Sequence, residues 1–144
     1  MRIPPFIIIA ALTLALVGCG GTYVDDKRNF ERAFQAKCPK NVEVIRSVYS
    51  RTPHFTEEHE YYFLLKPGVG SDILNRLTSG TGMARSTNQL SGVPFYLNLR
   101  QERPKWFVAN ALGSYDIWYH TNVAFIVLRD KRNAEIFVYG SVGM

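Results

Sequence analysis

The strongest constraint on the fold lies near the end of the chain, in the stretch "NVAFIVLRDKRNAEIFVYGS". Residues 123–128 are apolar at every position, residues 130–133 are charged or polar, and residues 135–139 are again largely apolar. Two such runs joined by a short polar turn predict a β-hairpin. A strand that is apolar on both sides belongs in the middle of a sheet that is covered by helices or by a second layer.

Further runs rich in Val, Ile, Tyr, Phe and Leu predict the rest of the sheet. The runs "NVEVIRSVYS" and "EHEYYFLLK", separated by "RTPHFTE", predict an antiparallel pair. The stretches "VPFYLNLR" and "SYDIWYHT" predict two more strands. With the hairpin, these runs predict five or six mostly antiparallel strands.

Two segments predict helices. In "DDKRNFERAFQAKCP", residues 25–39, Asp25 and Asp26 suit a helix start, and Pro39 ends the pattern. In "SDILNRLTSG", Ser71 is the expected N-cap and Gly80 the stop. We therefore expect an α+β fold, in which one sheet of five or six mostly antiparallel strands carries two or three helices on one face.

Residues 80–92, "GTGMARSTNQLSG", shift to Gly, Ser and Thr and predict a long loop. Loops of this length in a compact domain are uncommon and tend to be functional or mobile. A short helix over residues 83–90 is the alternative. The segment lacks the lysine and hydroxyl residue that a phosphate-binding glycine loop requires.

The first residues have the layout of a signal peptide. Arg2 is the only charge, residues 6–17 are apolar, and the small residue Gly18 precedes Cys19. A membrane-spanning helix needs about 20 apolar residues, so this run is too short to cross a bilayer. An uncleaved hydrophobic anchor with a coincidental cysteine is the less favoured alternative.

The residues Leu16, Val17, Gly18 and Cys19 resemble the lipobox of bacterial lipoprotein precursors. The resemblance covers residues 1–19 only, and no family is recognised for residues 20–144. It implies that Cys19 becomes the N-terminus and is acylated on its sulfur and its amine, which anchors the protein to a membrane. Gly20 stands where an aspartate resembles an inner-membrane retention signal, so the resemblance favours the outer membrane, facing the periplasm, in a Gram-negative source.

We therefore divide the chain into a signal peptide over residues 1–18, a lipidated tether over residues 19–24 and one globular domain over residues 25–144. An apolar content of 47% with 20% charged residues is normal for a globular domain. The formal net charge is +5 and falls to +4 when Arg2 is removed with the signal peptide; in an exported protein this positive excess favours anionic lipid or envelope polymer as a partner and gives no indication of nucleic-acid binding.

The sequence predicts no catalytic site, no metal site and no cofactor. His54 and His59 in "HFTEEHE" have a spacing of five, whereas the metalloprotease signature places its histidines at i and i+4 of a helix. Ser114, Asp116 and His120 are close in sequence, but no nucleophile elbow is present and the strand separates Asp116 from His120. Beyond Cys19, Cys38 is the only thiol; we expect a buried side chain, with an intermolecular disulfide or a nucleophile as alternatives.

Two basic clusters beside aromatic residues form the candidate binding patch for an anionic ligand or a partner. Its residues are Arg100, Arg103, Lys105, Trp106, Arg129, Lys131 and Arg132. The alternative is a solvated charged edge, which protects sheets from aggregation.

We predict a small cell-envelope lipoprotein that is held at the membrane by Cys19 and acts as a non-enzymatic binding module. Its partner would be another envelope protein or an anionic envelope polymer. Two alternatives stay open: an inhibitor or immunity-type lipoprotein that uses residues 80–92, and a small envelope hydrolase in which His54, His59, Cys38 or Ser114 converge.

Overall fold

The residues that the structure describes form a single antiparallel sheet of seven strands with two short helices. The computed structural model describes residues 20–52, 58–86, 103–107 and 114–143. In chain order the strands are β1 (Gly21–Val24), β2 (Val42–Arg51), β3 (His59–Pro67), β4 (Met83–Ser86), β5 (Tyr115–His120), β6 (Phe125–Asp130) and β7 (Ile136–Val142).

The spatial order of the sheet is β1-β2-β3-β7-β6-β5-β4. The chain thus builds two meanders, one from β1 to β3 and the other from β4 to β7. The meanders join where β3 pairs with β7, with Phe63 opposite Val138. The connection after β3 therefore crosses from the centre of the sheet to its far edge.

The described residues contain two helices, α1 (Asn29–Phe34) and α2 (Ile73–Thr78), each of six residues. The predicted helix over residues 25–39 is wrong in length. Asp25 and Gln35 both have φ 50°, and the left-handed residue at position 35 ends the helix after two turns. Asp25 accepts a hydrogen bond from the Ser47 backbone N–H at 2.8 Å, which ties this residue to β2.

The predicted fold class is wrong. The sheet has seven strands instead of five or six, and two short helices replace the predicted helical layer. The excess strands come from segments without a strong apolar pattern. Residues 21–24, expected in the tether, pair with β2, and Met83–Ser86, expected in the loop, pairs with β5. Backbone pairing with a formed neighbour suffices to make such short edge strands. Residues 87–92 and the predicted strand "VPFYLNLR" lie outside the described residues.

The predicted antiparallel pair and the predicted hairpin are both confirmed. In β2 and β3, Val48 lies opposite Tyr62, with a register shift between Val44 and Arg46. In β6 and β7, Val127 lies opposite Val138. The predicted strand "SYDIWYHT" is confirmed as β5, in which Ile117 pairs with Leu128.

Both faces of the sheet are packed. On the first face, both helices contribute to a cluster around Phe63, Leu65 and Val138, each of which is fully buried. On the second face, Phe107 packs into a cluster that comprises Tyr62, Tyr115, Ile117, Ile126, Leu128, Phe137 and Tyr139. Alternate residues of each central strand serve the two clusters, as the pleat requires.

Candidate binding surface

Trp106 and Arg46 form a cation–aromatic pair on the second face. Trp106 packs edge-on against Phe107, with ring centroids 6.0 Å apart. The Arg46 guanidinium carbon lies 5.7 Å from the centroid of the Trp106 ring. The Asp25 carboxylate holds the same guanidinium, with Nε to Oδ2 at 3.0 Å. The carboxylate therefore fixes the Arg46 guanidinium beside the aromatic plane and offsets part of its positive charge.

A shallow open depression of about 290 Å³ lies where β2 begins and β3 ends. Lys40 and Lys66 are exposed at its rim, together with one carboxylate, that of Glu43. The Gly68 backbone N–H donates to the Asn41 carbonyl at 2.7 Å, and a Cβ at position 68 would meet that same oxygen at 2.8 Å. Glycine therefore allows the two chain segments to approach closely enough to shape the depression.

The depression and the cation–aromatic pair follow one another along β2 and β3. Glu43 lies opposite Lys66, and Arg46 lies opposite Leu64. Leu64 packs into the second-face cluster, so Lys66, two residues further along the strand, points to the same face. We define the β2–β3 basic surface as Lys40, Arg46, Lys66, Arg103, Lys105 and Trp106.

The basic residues that the sequence predicts as one patch lie in different parts of the structure. Arg103 and Lys105 are exposed next to Trp106 in the chain. Arg129 follows Leu128 of the second-face cluster and therefore points to the opposite face from Trp106. Arg100 lies outside the described residues.

Arg132 and Lys131 belong to the turn between β6 and β7. The Arg132 side chain donates to Asp130 from Nε at 3.1 Å and from Nη2 at 2.7 Å. The Arg132 backbone N–H also donates to Asp130, at 2.8 Å. These hydrogen bonds lower the pKa of the Asp130 carboxyl. Arg132 thus contributes to the turn, and Lys131 lies at the same turn.

Both ring nitrogens of His120 contact nearby backbone groups. One ring nitrogen, Nδ1, accepts a hydrogen bond from the Asn122 backbone N–H at 3.1 Å. The other, Nε2, lies 3.0 Å from the Thr81 carbonyl, to which it donates in the neutral tautomer. Asp116, on the same strand, instead pairs with Arg85 at 3.0 Å. This arrangement leaves no relay from Asp116 to His120.

His59 stacks between two tyrosines on the first face. Its ring centroid lies 5.6 Å from that of Tyr49 and 6.1 Å from that of Tyr61. His54 lies outside the described residues. Across the described ranges, no group of three or more His, Cys, Asp or Glu side chains is placed to hold a metal ion.

The Cys38 thiol is half-buried beside the first core cluster. Its sulfur donates to the Val42 carbonyl at 3.6 Å, and burial raises the pKa of the thiol. A raised pKa keeps the thiol protonated, which weakens it as a nucleophile.

Sequence reasoning missed Lys40, Arg46 and Lys66. Arg46 follows the register shift in β2, and only the fold reveals that its side chain meets Trp106, some 60 residues further along the chain. The alternation of charge with apolar residues in "EVIRSV" indicated a partly exposed strand but no partner for the arginine.

Within the described ranges, no helix is long and apolar enough to cross a bilayer. Cys19 lies outside those ranges, and the described chain begins at Gly20. Comparison with protein-family models, with curated proteins and with solved structures gives no match for this chain.

Proposed function

We propose that this protein is a cell-envelope lipoprotein, anchored through lipid on Cys19, that binds an anionic partner through the β2–β3 basic surface. The observation that carries the proposal is the Arg46–Trp106 pair beside the depression rimmed by Lys40 and Lys66. The cations attract phosphate or carboxylate groups, and the open depression is accessible to a polymer or to a protein that carries such groups.

The position of this surface supports a partner other than the anchoring bilayer. Gly21 lies opposite Arg51, at the end of β2 that is remote from Glu43. At about 3.3 Å per residue, Arg46 lies roughly 16 Å and Glu43 roughly 26 Å from Arg51 along β2. Both distances exceed the Debye length of about 8 Å at physiological ionic strength. The lipid on Cys19 therefore does not by itself hold the basic surface against anionic headgroups.

The placement of the titratable groups favours binding over catalysis. Cys38 lies near the start of β2 and Ser114 precedes β5, whereas His59 lies opposite Arg51, at the far end of β2. A nucleophile and a base must lie within hydrogen-bond reach of each other. The separate placement of these three residues does not suit a hydrolase.

Intact mass and membrane fractionation test the anchor. The wild type should carry diacylglycerol and acyl mass on a chain that starts at Cys19, and Cys19→Ala should lose both the added mass and the membrane association. Cys38→Ala is the matched control and should keep them. An unmodified full-length wild type would contradict the lipoprotein proposal.

A charge-reversal pair tests the basic surface. Binding to immobilised lipopolysaccharide, measured over a series of NaCl concentrations, should weaken about tenfold in Lys40→Glu/Lys66→Glu, equivalent to about 1.4 kcal/mol. Lys27→Glu/Lys37→Glu, which changes two exposed lysines on either side of α1, makes the same change in net charge elsewhere. Equal losses in both double variants would show that net charge alone is responsible and would overturn the assignment of the surface.

A further inference from the structure

The distance between the expected anchor and the sheet is very short. Strand β1 begins at Gly21, so Gly20 alone separates it from Cys19. Two residues of chain span at most about 7 Å. If Cys19 carries lipid, the first strand is therefore held against the headgroups.

The strand registers identify which part of the molecule lies there. Gly21 pairs with Arg51, Arg51 pairs with His59, and His59 pairs with Val142. These four residues lie in one row across the sheet. The Ser141 backbone N–H donates to the Ala124 carbonyl at 2.8 Å, which brings Val123 to the same end. We call this row, with Val123, the anchor end.

The anchor end exposes apolar side chains. Val123 is 51% exposed and Val142 is 48% exposed. Valine at the boundary between headgroups and acyl chains is removed from water, which is favourable. Val69 provides a contrast, because it is fully exposed just after β3, at the other end of the sheet.

We propose that the anchor end faces the bilayer, with Val123 and Val142 at the headgroup boundary and the strands directed away from the membrane. This proposal rests on the lipoprotein function proposed above. It places the depression at Lys40 and Lys66 on the side of the domain that is remote from the bilayer, where a partner in the envelope has access to it.

Depth-dependent quenching tests this orientation. The lipidated full chain, in a Cys38→Ala background, receives one fluorophore at Val123→Cys, Val142→Cys or Val69→Cys; Cys19 does not react because its sulfur carries the lipid. Each protein is reconstituted in vesicles of phosphatidylethanolamine and phosphatidylglycerol that contain a headgroup nitroxide lipid. Quenching should be several-fold stronger at positions 123 and 142 than at position 69.

The outcomes separate the two proposals. Equal quenching at all three positions in a protein whose intact mass shows the lipid would overturn the orientation alone. Quenching that is strongest at position 69 would also overturn the orientation, because the opposite end of the sheet would then face the bilayer. A protein without lipid mass would overturn the lipoprotein function, and the orientation with it.

Discussion

At the scale of single residues, Gly140 leaves room for the Tyr61 ring, which occupies the place of a Cβ at position 140. Tyr61 and Gly140 are direct cross-strand partners in β3 and β7. A Cβ at position 140 would overlap the Tyr61 ring. Burial raises the pKa of the Tyr61 hydroxyl to about 12, so the phenol stays neutral at physiological pH. A glycine inside a strand here serves the packing of an aromatic side chain.

Gly140→Ala should therefore destabilise the protein by about 1–3 kcal/mol, because the Tyr61 ring must move out of a packed core. Urea unfolding measures the change. Gly80→Ala is the control, since a Cβ there meets only Met83 Cγ at an ordinary 3.8 Å. An unchanged midpoint for Gly140→Ala would contradict the overlap.

Asp130 makes the stability depend on pH. Its carboxyl is almost completely buried, and Arg132 lowers its pKa. A lowered pKa means that the ionised group stabilises the folded state at pH values above about 3.9, and that this stabilisation is lost as the pH falls through the folded-state pKa. Asp130→Asn should be less stable than the wild type at pH 7, and the difference should shrink below about pH 4.

Thermal unfolding of both proteins between pH 7 and pH 2 measures this dependence. Arg132→Met removes the partner and should show the same convergence at low pH. A constant difference between Asp130→Asn and the wild type at every pH would show that the charge of Asp130 has no part in stability.

At the scale of elements, Asn29 connects α1 to the first two strands. Its side chain is fully buried. Nδ2 donates to the Tyr23 carbonyl at 2.9 Å and to the Ser47 hydroxyl at 3.0 Å, and Oδ1 accepts from Arg32 at 2.8 Å. Edge strand β1 thus depends on a helix side chain as well as on its pairing with β2.

Asn29→Ala should cost about 1–3 kcal/mol, because buried polar groups lose their partners. Hydrogen exchange should show reduced protection in Gly21–Val24 first, since this short edge strand loses its link to α1. Glu31→Ala, an exposed change in the same helix, should leave the exchange of β1 unaltered. Uniform loss of protection throughout the sheet would argue against a local role for Asn29.

Elements also differ in how far sequence predicted them. Strands β2, β3, β6 and β7 were evident because their apolar runs are long and bounded by turn residues. Strands β1 and β4 were missed because four residues at the edge of a sheet carry little pattern of their own. The length of α1 was overestimated because the helix ends at Gln35, which has a left-handed backbone conformation. Glycine, not glutamine, is the residue typical of that position.

At the scale of the whole molecule, the short connection at Gly20 should control orientation. Ten Gly and Ser residues inserted between Gly20 and Gly21 form a linker with a root-mean-square length of about 16–19 Å. Lipidation should persist in this variant, whereas the difference in headgroup quenching between positions 142 and 69 should disappear. A difference that survives insertion would mean that the anchor end binds the membrane by itself, without control by the short tether.

The sequence by itself determined the central strand pairs and the lipobox resemblance, because both depend on residues that are contiguous in the chain. Only the tertiary structure decided the number of strands, since an edge strand takes its hydrogen bonds from a neighbour that is distant in the chain. The same holds for the candidate binding surface. Arg46 meets Trp106, and Arg129 turns to the other face, because strand register and pleat set the direction of each side chain.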